Sequence, residues 1–96
     1  MHVGVCRLTL HLYENNSLKG KRRVVHSLAE RLRNKFAVAV AEVDTQDVWQ
    51  TATVGISAVS GDLKTLNSLL DRVIEFAQEN VPEADITATE VGVFDY

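Results

Sequence analysis

Residues 2–13 alternate, with Cys6, Leu8, Leu10 and Leu12 on one side and Arg7, Thr9, His11 and Tyr13 on the other. A period of two with branched and aromatic side chains predicts a strand with one half-polar face. Glu14-Asn15-Asn16 breaks the pattern, and from Ser17 the period becomes about 3.6. Val25, Leu28, Leu32 and Phe36, with Val24 and Ala29, then share one stripe of a helix. Ser17 is placed to cap that helix by accepting a bond from a free first-turn amide. Residues 37–43 are small and apolar and predict a second strand; Asp44-Thr45-Gln46-Asp47 is turn chemistry,. Residues 49–59 alternate again, with Ala52, Val54, Ile56 and Ala58 on one face, so the two runs predict a hairpin. Ser60-Gly61-Asp62 opens a second helix, capped by Ser60 or Asp62 and striped by Leu63, Leu66, Leu69, Leu70, Val73, Ile74 and Ala77. It stops before Pro82, and residues 84–94 predict a last strand.

The order strand, helix, strand, strand, helix, strand is the split βαβ, or ferredoxin-like, unit of the α+β class. Right-handed crossovers put both helices on one face of a four-stranded antiparallel sheet. At 96 residues the expectation is one domain spanning 1–96, since a second core would not fit in such a length.

Charge changes the picture. Residues 17–36 carry seven of the ten lysines and arginines and one acid, Glu30, a net of +6. The other 76 residues hold three bases and twelve acids, a net of −9. With Leu28 at the centre of the buried stripe and about 100° per residue, Arg22, His26 and Arg33 fall on one exposed flank. Arg23 and Glu30 lie beyond them, and Arg31 and Lys35 lie on the opposite flank. Lys19, Lys21, Arg22 and Arg23 crowd the helix start, where each exposed cation is disfavoured by about 0.3–1 kcal/mol. Free amides, a local glycine at Gly20 and four cations describe an anion site, and arginine grips phosphate through a two-pronged donor fork. A solvated basic face, a nucleic acid and an acidic protein or membrane surface all remain open from charge alone.

Other chemistry is sparse. Cys6 is alone, which leaves no internal disulfide and no cysteine zinc cluster,; a small buried hydrophobe is its expected role. His2, His11 and His26 sit on different elements without paired ligand spacing. Glu42, Asp44 and Asp47 flank the hairpin turn but match no calcium loop. Cys6 and His11 point to opposite faces of their strand, so no nucleophile and base can be paired. Neither catalysis, a cofactor nor a metal is expected. Trp49 is expected to pack at the sheet edge or against the first helix. Arg7, His11, Tyr13, Thr53 and Ser57 are placed on the open sheet face, where Val3, Val5, Val91 and Val93 would favour a second subunit; base stacking and simple solvation are the alternatives. No apolar stretch approaches the roughly 20 residues of a membrane span. The first residues lack a basic n-region and a cleavage site, and a cytoplasmic protein is expected.

The segments SLKGKRRVVHSLAERLRNKF and AVAVAEVDTQDVWQTATVGISAVSGD resemble the bacterial YlxP-like family, in order and across essentially the whole chain. The matching positions are Ser17, Leu18, Lys19, Lys21, Arg22 and Arg23, then Phe36, Glu42, Asp47 and Trp49. The resemblance implies a ferredoxin-like fold and a small cytoplasmic bacterial protein. Genes of that family often lie near those for transcription and translation factors, including ribosome-binding factor A, which implies a role around ribosomal RNA or ribosome assembly. It carries over no catalytic residue. Family members commonly have Glu where this chain has Gly20, so the reciprocal capping box is lost here. A weaker helix start and closer approach of an anion to the backbone are expected.

The resulting expectation is a non-enzymatic RNA- or ribosome-associated binding protein. Lys19, Lys21, Arg22, Arg23 and Arg33 would contact phosphates, with Arg31 and Lys35 secondary. The alternative is a homodimeric interaction module that joins through its open sheet face and grips an acidic protein with the same helix.

Overall fold

A computed structural model describes residues 1–44 and 48–96. The elements are β1 (His2–Leu12), α1 (Leu18–Lys35), β2 (Ala39–Asp44), β3 (Thr51–Ser60), α2 (Leu63–Glu79) and β4 (Ala84–Asp95). The sheet order is β2-β3-β1-β4, and every neighbouring pair is antiparallel. This is the expected ferredoxin-like arrangement, with both helices on one face.

Each helix begins where its cap predicts. Ser17 has extended backbone angles and its Oγ accepts from Gly20 N at 3.0 Å. Asp62 does the same for α2, accepting from Thr65 N at 3.1 Å. The α1 exit uses Phe36, whose N–H still bonds Leu32 O at 2.8 Å while its backbone has turned extended. That turn delays β2 to Ala39.

Cys6, Leu8, Leu10 and Leu12 of β1, with Ala52, Val54, Ile56 and Ala58 of β3, form the floor of the core. Val25, Leu28 and Leu32 of α1 and Leu66, Leu70 and Val73 of α2 close it from above. Where the helices converge, Phe36 and Phe76 meet edge to face at 5.7 Å.

Two irregularities change which side chains face where. Between Thr9 and Leu10 the β1–β4 register slips, so that Thr9 pairs with Ala88 and Leu10 with Ile86. Thr87 is the extra residue, and its hydroxyl donates to Thr9 O at 3.3 Å. One inserted residue reverses the facing of everything beyond it. Val91 and Val93 therefore pair with Cys6 and Gly4 and face the helix side, while Glu90, Gly92 and Phe94 reach the open face. The placement of Val91 and Val93 on the open face, expected from simple alternation, is corrected by this bulge. A second slip, between Glu42 and Asp44 of β2, turns Val43 over Gly55, where any Cβ would lie 2.8 Å from a Val43 methyl.

Candidate nucleic-acid interface

The cations of α1 divide by angle. Lys21 lies only about 20° from Leu28 at 100° per residue, near the middle of the buried stripe. Its side chain is 0 % exposed, and its Nζ sits 3.0 Å from Glu42 Oε2 and donates to Thr51 O at 3.4 Å. Glu42 is turned inward because it shares the parity of Val40 on β2, two residues away. A buried charge is tolerated only when paired, and the two core-facing polar positions answer each other. Lys21 is thus removed from the expected phosphate contacts. Its ammonium group points into the fold.

Lys19, Arg22 and Arg23 are exposed. Among the described residues no carboxylate pairs with any of them; the ion pairs of α1 are Lys21–Glu42 and His26–Glu30, the latter at 3.4 Å. Arg33 is also exposed and donates to the Val40 carbonyl. Arg31 donates to Asn80 O at 2.8 Å, and Lys35 Nζ lies 4.8 Å above the Phe76 ring. A carbonyl or a ring fixes where a cation sits without cancelling its charge. The two flanks nonetheless differ in their surroundings. Lys35 borders a hollow of about 200 Å³ that Glu75 and Glu79 of α2 also line. Lys19, Arg22, Arg23 and Arg33 occupy the outward flank, away from that acidic helix. Lys19, Arg22 and Arg23 gather at the start of α1, Arg33 stands on the same side about 16 Å further along the axis against the Val40 carbonyl, and Arg31 and Lys35 stand at the seam between the helices.

The helix start is less open than Gly20 suggests. Asn15 Oδ1 occupies the space that a Gly20 side chain would need. From there Asn15 Nδ2 donates to Ser17 O at 2.9 Å and to the Trp49 carbonyl, tying the end of the hairpin to the start of α1. Gly20 thus makes room for Asn15, and the backbone beside it is covered. Trp49 itself is 51 % exposed, so its side chain is only half covered by the fold.

On the open face, Arg7 meets Glu90 at 3.4 Å, and Tyr13 lies past the strand end with its ring 6.0 Å from His11. Cys6 is buried, and burial pushes its thiol up to about 11. The Asp62 carboxylate is held below its usual range by the Thr65 hydroxyl and backbone N–H. Glu42 is engaged by Lys21, and Asp47, the third acid near the hairpin turn, lies outside the described residues. Among the described residues no helix is long and apolar enough to cross a membrane.

A family model described as "Protein of unknown function (DUF503)" matches residues 3–91. "Uncharacterized protein YlxP" of Bacillus subtilis (strain 168) is 35% identical over 92 residues, which span 96% of this chain and 99% of that protein. Three solved structures share the fold. The designed protein Foldit4 has a TM-score of 0.54 at 16% identity, over 100% of this chain and 99% of that one. The designed protein LFR1 1, with a ferredoxin fold, has a TM-score of 0.51 at 14% identity, over 100% of this chain and 88% of that one. A candidate chlorite dismutase, TA0507, has a TM-score of 0.51 at 13% identity; the match covers 99% of this chain but spans only 45% of that protein's length.

Proposed function

The chain belongs to the DUF503 family of YlxP-like proteins, and we propose that it is a non-enzymatic, cytoplasmic RNA- or ribosome-associated binding protein. It lays the outward flank of α1 against phosphates. Lys19, Arg22, Arg23 and Arg33 make the contacts, with Arg31 and Lys35 at the margin. The observation that supports this reading is that Lys19, Arg22 and Arg23 are exposed, clustered and paired with no carboxylate among the described residues. A helix start without acids in its first turn gives up electrostatic stability that a polyanion would return.

Binding of this kind is driven by released counterions, and each neutralised phosphate adds about 0.7–0.9 to the log–log salt slope. Four contacts predict a slope near −3, or about a 50-fold loss of affinity between 50 and 200 mM salt. A filter-binding titration against structured RNA tests this. Arg22→Glu with Arg23→Glu should lower the slope by about 2. A flat salt response, or a double variant that binds like the native chain, contradicts it. If the partner is instead an acidic protein, capture from a nuclease-treated lysate survives, whereas an RNA-dependent association is lost.

A further inference from the structure

Both helices pack on one side of the sheet, and among the described residues no element covers the other side. Thr9, His11, Thr51 and Thr53 make one end of that open face polar, while the other end is apolar. Val3 and Val5 of β1, Val59 of β3 and, through the β4 bulge, Phe94 stand on it, with Val59 62% and Phe94 59% exposed. The middle of the face sinks into a hollow of about 550 Å³, where the small residues Ala39, Ala41, Gly55, Ser57 and Gly92 lie between the larger side chains of Val5 and Val43. Arg7 and Glu90, which also line it, pair with each other, and Asp44 and Asp85 stand at the far end of the face.

We infer that this face is covered by a second copy of the chain, with Phe94 of each copy seated over Ala39 and Ala41 of the other. Three features select that occupant. Arg7 of this face is already paired and Asp44 and Asp85 add negative charge at its far end, so a polyanion finds no excess of cations to hold and an anionic lipid surface no basic patch. The face carries an exposed aromatic at the β4 edge, its ring resting beside Gly92, and a hollow that runs from there across to Ala39 and Ala41 at the β2 edge. A two-fold axis along the strands lays β4 of one copy over β2 of the other and makes that contact twice, as an isologous interface requires. The size also fits. Four strands about 4.8 Å apart and eight residues long project about 500 Å², and the accessible area of such a face is larger. That falls in the range of roughly 600–1,000 Å² per partner of standard interfaces. Arg7 and Glu90 meet the partner already paired, and Asp44 and Asp85 lie at the end of the face away from Phe94, so the centre of the contact buries no lone charge. The two α1 helices then lie on opposite outer sides, so this inference does not depend on the RNA-binding reading.

Sedimentation equilibrium of the full chain from 1 to 100 µM tests it. The native chain should run at twice its chain mass. Ala41→Asp should run as a monomer with native circular dichroism, and Phe94→Ser should weaken self-association at least tenfold. Arg22→Glu with Arg23→Glu should leave the mass unchanged. If Ala41→Asp fails to fold, Phe94→Ser decides, because that ring is exposed in the single chain. A native chain that is monomeric throughout overturns the inference, whether or not it captures an RNA or another protein. So does a dimer indifferent to Phe94→Ser.

Discussion

On the inner side of α1, Lys21 is fully buried and held 3.0 Å from Glu42; on the outer side, Arg22 and Arg23 stand in solvent with no carboxylate partner among the described residues. These cations are adjacent in sequence and separated only by the turn of the helix. One side of the helix uses charge to close the fold, and the other leaves charge available. Positive charge counted along a sequence therefore overstates what a ligand meets. Facing decides which cations belong to the surface.

The largest effect should come from the inner side. Lys21→Ala leaves Glu42 as a buried carboxylate without its ammonium partner, at a cost of about 3–5 kcal/mol. Thermal unfolding should then fall by on the order of 15 °C for a domain of this size. Lys21→Met with Glu42→Leu should recover most of that loss, since an apolar pair fits the same space without desolvating charge. RNA affinity of the folded double variant should be unchanged, and a loss of binding there would erase the distinction between the two sides. Arg22→Glu with Arg23→Glu should do the reverse, cutting RNA binding while shifting stability by less than about 0.5 kcal/mol, as surface substitutions usually do.

Smaller effects sharpen the same contrast. Ser17→Ala removes the cap bond to Gly20 and should destabilise by about 1 kcal/mol, read from the urea midpoint. Cys6, on the core side of β1, should make stability depend on pH. Its thiol is raised from 9.0 to about 11 in the folded chain, so the unfolded chain loses that proton first. The contribution is fully present below pH 9 and is lost as pH rises toward 11. The native chain should lose stability relative to Cys6→Val across that window and nowhere below it.

Much of this was legible in the sequence. Leu28, Leu32 and Phe36 set the helix period, Ser17 marked its start, and the alternation of β1 and β3 placed the core. Lys21 was legible too, from its angle near Leu28 and from Glu42 sharing the parity of Val40. Counting it among the surface cations overlooked that pairing. The facing of Val91 and Val93 was not legible, because Thr87 looks like any other residue of an alternating strand until its pairing with β1 is known. Nor was the placement of Trp49, whose carbonyl is held by Asn15 while its ring stays half in solvent. Asn15 could use that position only because Gly20 has no side chain, a coupling between two residues that neither announces alone.

Acylation of lysines, read by mass spectrometry with and without structured RNA, tests the central claim most directly. RNA should shield Lys19 on the outer flank of α1 and leave Lys64 on α2 reactive, with Lys21 unreactive in both states. Equal labelling of Lys19 with and without RNA, or shielding of Lys64 in its place, would contradict the account.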